Sequence, residues 1–135
     1  MTDDITRPQV LGEAYVHLLD GGGAMPVAVD ARFWSEGVSQ LPPGRLVSLF
    51  DNAADWTVWE MHPEGEEVIF ALEGAFTFHF ERGEERWSQT LSGGAFLIVP
   101  RGVWHTVDVA TPGRCLFITA GEGTQHRERE ATGAQ

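Results

Sequence analysis

Three scarcities narrow what this chain can be before any motif is sought. It has one cysteine, Cys115, in 135 residues. An intrachain disulfide is therefore impossible, and so is a zinc cluster built on several thiolates. Within Cys115-Leu116-Phe117-Ile118 the thiol reads as a small buried hydrophobe on a strand. Basic residues are also few: nine Lys and Arg stand against twenty Asp and Glu, a formal charge of −11. So acidic a surface opposes a phosphate backbone or an anionic membrane face, and neither nucleic acid nor membrane is expected as a partner. Long apolar runs are missing, none approaching the roughly 20 residues of a membrane span. The start, Met1-Thr2-Asp3-Asp4, is acidic where a secretory leader is basic, and a cytoplasmic protein is the expectation.

What is present is a β pattern. The length suits one domain with one hydrophobic core. From Arg45 to Ala120, short runs rich in Val, Phe, Ile, Trp and Thr alternate with Gly, Pro, Asn and Asp. The spacing predicts strands at Leu46 to Phe50, Trp56 to His62, Glu67 to Leu72, Ala75 to Glu81, Glu85 to Leu91, Ala95 to Val99, His105 to Val109 and Cys115 to Ala120. Eight strands in one small domain is a jelly-roll count.

The flanks are read more coarsely. Residues 1–44 are expected to form an N-terminal arm, with a short strand at Tyr15 to Leu19 and a helical turn from Asp30 to Glu36 capped by Asp30. The barrel is assigned to 45–120. Residues 121–135 contain almost no apolar side chains and alternate in charge through Arg127-Glu128-Arg129-Glu130, which predicts a disordered tail.

Inside the barrel pattern sits a group of ionisable residues. Side chains alternate along a strand, so Trp56, Val58, Glu60 and His62 share a face. A carboxylate on an apolar face needs a partner, a hydrogen bond or a metal. After Pro63-Glu64-Gly65 the chain returns with Glu66 and Glu67, and alternation alone does not choose between them. Further on, His105 falls in phase with Val107 and Val109. Imidazoles beside carboxylates on a core-facing surface are a common metal-ligand set. The competing reading for the whole cluster is a metal-free barrel in which Glu60 hydrogen-bonds His62 or His105 and one carboxylate stays neutral; for Glu60 alone it is a partner behind the ligands or a general base, with three ligands remaining. Trp56, in phase with Glu60 and His62, is the one aromatic placed beside the pocket; Trp59, Trp87, Trp104, Phe76, Phe78 and Phe80 are assigned to the core. His79 is out of phase with Phe76, Phe78 and Phe80 and is expected on the outer surface, while His17 and His126 have no supporting neighbours. Arg45 and Arg101 are read as solvated, with a substrate carboxylate as the alternative occupant.

These residues resemble the cupin superfamily, whose first motif runs His-x-His, three or four residues, Glu, six residues, Gly, and whose second runs Gly, five residues, Pro-x-Gly, two residues, His. Here Glu60-Met61-His62, then Glu67 and Gly74, lie on the first, and Gly94, Pro100-Arg101-Gly102 and His105 on the second. Glu60 stands where the family has its first histidine, and Val109 where many members have Asn. The resemblance implies an all-β double-stranded β-helix, selects Glu67 over Glu66, and implies a divalent metal held by Glu60, His62, Glu67 and His105. Oxygen and nitrogen donors suit Mn, Fe, Zn, Ni or Co. It further implies a metal-dependent enzyme (an oxygenase, isomerase or lyase) on a small oxygen-rich molecule such as a sugar acid, keto acid or polyketide-like phenol. The alternative function is a non-catalytic module that binds or senses a small molecule. Family members commonly dimerise through N-terminal strands, so a homodimer is expected, with Val10 to Leu19 as its candidate segment.

Overall fold

Alternation of buried and exposed side chains, strand by strand, builds two facing sheets. The computed structural model describes residues 5–130; Met1-Thr2-Asp3-Asp4 and the last five residues of the expected tail lie outside the described residues. The strands are β1 (Ala14–Leu19), β2 (Ala24–Ala28), β3 (Gly44–Asn52), β4 (Val58–Met61), β5 (Glu67–Ala71), β6 (Ala75–Arg82), β7 (Glu85–Ser92), β8 (Phe96–Val99), β9 (Trp104–Thr111), β10 (Gly113–Thr119) and β11 (Gln125–Glu128). One sheet has the order β2-β1-β3-β10-β5-β8 and the other β11-β4-β9-β6-β7. The pairings between strands are antiparallel, as a jelly roll requires. Among the described residues, no helix is long and apolar enough to cross a membrane.

The core lies between the sheets. Ile69, Phe76, Phe78, Val103 and Val107 are fully buried there, with Cys115 among them. Each buried Phe contributes on the order of 2–3 kcal/mol. A second cluster of Tyr15, Phe33 and Leu46 seals the side where β1 and β3 meet the helical turn Phe33–Gly37. Two glycines permit turns that matter to the site. Gly113 has no room for a Cβ beside the Glu73 carbonyl, so the β5–β6 and β9–β10 turns press together. Gly102, at φ 76°, turns the chain so that its N–H donates to the His62 carbonyl at 3.0 Å, joining the loops that precede His105 and follow His62.

Eight expected strands appear as β3 to β10, with ends shifted by one or two residues. β4 starts at Val58 instead of Trp56, because the Trp56 N–H is taken by the Val107 carbonyl at 2.9 Å and the chain joins the ladder only afterwards. The helical turn begins at Phe33, and the Asp30 carboxylate accepts the Arg32 N–H at 2.9 Å. β2 is an addition; its Pro26 is tolerated because β2 is the outermost strand of its sheet. The tail needs the largest correction. Gln125–Glu128 is a strand paired with β4, with His126 opposite Glu60. It is held from outside, by Arg127 lying over the rings of Trp59 and Trp104 at 5.1 and 4.7 Å and by Arg129 reaching the carbonyls of Trp56 and Val107.

Candidate metal centre

Four side chains converge at one end of the barrel. Glu60 on β4 is paired across the sheet with His105 on β9, and the turn after His62 delivers Glu67 at the head of β5 on the facing sheet. One donor atom from each lies within 4.8 Å of all the others. His62 Nε2 is 3.1 Å from Glu60 Oε1 and 3.3 Å from Glu67 Oε2, and His105 Nε2 is 3.1 Å from Glu67 Oε1 and 3.7 Å from Glu60 Oε1. Ligands about 2.1 Å from a common ion lie about 3.0 Å apart at right angles and about 4.2 Å apart across it, so the set has the span of one coordination sphere. Glu67 and His105 are sealed in, while Glu60 is the most open of the four at 23 % side-chain exposure. Glu66 faces solvent.

Hydrogen bonds outside the cluster fix which nitrogen faces inward. The Thr124 hydroxyl donates to the Gly121 carbonyl at 2.8 Å, so toward His62 Nδ1, also at 2.8 Å, it only accepts. The Val103 carbonyl does the same for His105 Nδ1 at 3.4 Å. Both rings therefore carry a proton on Nδ1 and turn Nε2 toward the carboxylates, an outer arrangement typical of metal-binding histidines. Glu67 is oriented by Thr119, whose hydroxyl donates to Oε2 at 2.5 Å. Glu60 turns Oε1 inward and Oε2 outward to His126 Nε2 at 2.9 Å.

Among the described residues, three buried atoms of the cluster have no hydrogen-bond partner: His62 Nε2, Glu67 Oε1 and His105 Nε2. They lie within 3.7 Å of opposite charge without the alignment of a hydrogen bond, an arrangement compatible with ligands around one ion. Burial by itself would lower both imidazoles; Glu60 and Glu67 outweigh it and hold His62 and His105 up at about 9. The carboxylates are likewise pushed up by burial but held below the usual range by the proximity of the His105 and His62 rings. Two carboxylates and two imidazolium ions are neutral together, and two carboxylates, two neutral imidazoles and a dication are neutral as well. The cluster can thus trade two protons for one divalent ion without stranding charge in the core.

The other sequence candidates fall as follows. Trp56 sits against His105, ring centroids 5.9 Å apart, with its Nε1–H donating to Asn52 at 3.4 Å. His79 lies on the outer face, between Ser88 and Asp108, each at 2.7 Å. Arg45 and Arg101 border an open cleft with Glu64, Glu66 and Glu122, and Arg101 donates to the Glu64 carbonyl. Trp59 and Trp104, assigned to the core, instead flank Arg127 on the outside. Thr119, Thr124 and His126 were not foreseen. Thr119 had a signal, since it is in phase with the inward-facing Cys115 and Phe117. Thr124 and His126 had none, because the segment carrying them lacks an apolar pattern.

A family model described as Cupin domain matches residues 38–121, more than half of the chain. Among solved structures, an oxalate oxidase is similar at 17 % identity and a TM-score of 0.51, over 59 % of this chain and 44 % of that one. Vicilin from Solanum lycopersicum (tomato) is similar at 16 % identity and a TM-score of 0.52, over 63 % of this chain and 25 % of that one. A cupin superfamily protein from Desulfitobacterium hafniense has 23 % identity and a TM-score of 0.50, over 60 % of this chain and 70 % of that one. At these identities the likeness is one of fold, and the chain spans less than half of the oxalate oxidase. No curated protein matches the chain.

Proposed function

This chain belongs to the cupin domain family, and from that premise we propose that Glu60, His62, Glu67 and His105 hold a divalent ion (Mn, Fe, Zn, Ni or Co) in a metal-dependent enzyme. The substrate class we assign is a small oxygen-rich molecule: a sugar acid, a keto acid or a polyketide-like phenol. The observation that carries the metal assignment is the set of three unpartnered buried donors, His62 Nε2, Glu67 Oε1 and His105 Nε2, facing one another.

A divalent ion there supplies Lewis-acid polarisation of a coordinated substrate oxygen. The chain's own residues do the rest. Glu67 and His105, closed off from solvent, keep water away from the inner side, while Glu60 leaves the approach on its own side. Thr124 and Thr119 hold His62 and Glu67 in the orientation that presents Nε2 and Oε1 inward. Glu60 is ligand through Oε1 and, with Oε2 at the open edge, the residue placed to take a substrate proton. Trp56 supplies an apolar wall beside His105.

The test is metal analysis of the purified protein and of Glu67→Ala and His105→Ala. One ion per chain is expected in the parent, with loss in both variants; stoichiometric metal surviving both changes refutes the assignment. Turnover of a sugar acid, keto acid or phenol by the loaded protein supports an enzyme. Thermal stabilisation by the same compounds without product places it instead among binding modules.

A further inference from the structure

The two carboxylates of the centre are presented differently. Glu67 turns both oxygens to the imidazoles, Oε1 toward His105 at 3.1 Å and Oε2 toward His62 at 3.3 Å. Glu60 turns only Oε1 to them, at 3.1 Å from His62 and 3.7 Å from His105, while its Oε2 is taken by His126 Nε2 at 2.9 Å. A carboxylate only accepts, so His126 Nε2–H is the donor. His126 stands opposite Glu60 in the β4–β11 register, and Thr124, two residues earlier, meets His62. Alternation sends Arg127 to the other face, onto the rings of Trp59 and Trp104 and the carboxylate of Glu81, and this seats the strand. The His126 ring is thus delivered by backbone pairing and by anchors outside the centre. Gln125–Glu128 lies beyond residues 38–121, so His126 is not among the residues that place the chain in its family.

Resting on the metal assignment above, we infer that His126 is a positioning residue: by holding Glu60 Oε2 away from the ion, it limits Glu60 to one ligand atom and keeps a position on the ion for a substrate oxygen. A carboxylate ligates a hard cation through one oxygen or through both. With nothing to hold it, the second oxygen of Glu60 closes on the ion and displaces a water. The bond from His126 opposes this, because it is charge-assisted and its donor is already fixed by the seated strand. His126 is 53 % exposed, so replacing it disturbs no core packing.

The test loads the full chain, His126→Ala and His126→Gln with Mn²⁺ and counts the waters on the bound ion from the relaxation rate of solvent protons. His126→Ala is expected to keep the ion and its circular dichroism but to carry about one water fewer than the parent, as Glu60 adds its second oxygen. His126→Gln, whose side-chain amide N–H donates in place of the ring, should restore the parent count. An Ala variant with the parent's water count overturns the inference, and so does one that no longer holds Mn²⁺, since a freed oxygen adds to the grip on the ion. A Gln variant that behaves like Ala overturns it too, by showing that the ring acts through something other than its N–H. A parent that binds no Mn²⁺, Fe²⁺, Zn²⁺, Ni²⁺ or Co²⁺ removes the metal assignment itself, and this inference with it.

Discussion

Loading the centre with metal should release nearly two protons per ion at neutral pH, and the number follows from the site. Each imidazole holds its Nε2 proton up to about 9, because Glu60 and Glu67 outweigh the burial that opposes charge. Both Nε2 atoms must be bare to bind an ion. At pH 8 a group titrating at 9 is about 90 % protonated, so the two together give up about 1.8 protons, rising toward 2 at pH 7 and falling to about 1 at pH 9. Histidines left at the ordinary value of about 6.5 would release about 0.06 at pH 8. The assay is isothermal titration of the metal-free protein with Mn²⁺ or Zn²⁺ in buffers of different ionisation enthalpy, where the slope of observed heat against buffer enthalpy counts the protons. A slope below about 0.3 at pH 8, with binding intact, refutes the coupling between carboxylates and imidazoles.

Two further expectations concern the same residues. In the metal-free protein the folded-state values of His62 and His105 lie above their unfolded value of 6.5, so their contribution to stability is complete below about pH 6.5 and is lost as pH rises through about 9; Glu60 and Glu67, held low, contribute above about pH 4.5 and lose it on acidification. The melting temperature with chelator should therefore peak between about pH 4.5 and 6.5 and fall toward pH 9, whereas the metal-loaded protein should lose its added stability on the acid side; parallel curves contradict this reading. Thr124→Val removes the acceptor for His62 Nδ1–H without changing volume much, and should weaken metal affinity about 10- to 100-fold at unchanged secondary structure; parent-like affinity would show that the ring needs no such anchor.

Much of the fold is written in alternation, and so is the inner half of the site. Phe76, Phe78 and Phe80 face in while His79 faces out, and the same two-residue period sets His105 inward with Val107. Parity could not separate Glu66 from Glu67, because Val68 and Phe70 on the opposite phase are as apolar as Ile69 and Ala71. That apolar opposite phase is no noise: it is the outer face of the six-stranded sheet, which the pattern of a lone barrel does not anticipate.

The C-terminal segment shows the physical limit of reading order from composition. Ordering a segment requires apolar burial, and Gln125-His126-Arg127-Glu128 has none of its own to offer. The apolar surface comes from the strands it covers: Trp59 and Trp104 present ring faces outward, and the Arg127 guanidinium lies over both while ion-pairing with Glu81 at 2.5 Å. Arg129 then ties the chain to two backbone carbonyls and to Asp108 at 2.8 Å. Once that strand is seated, Thr124 and His126 reach His62 and Glu60 as a matter of register. The charges that made the segment look solvated are thus what places the outer half of the candidate site, and a composition count has no means of seeing a cation whose partner is an aromatic ring some seventy residues away along the chain.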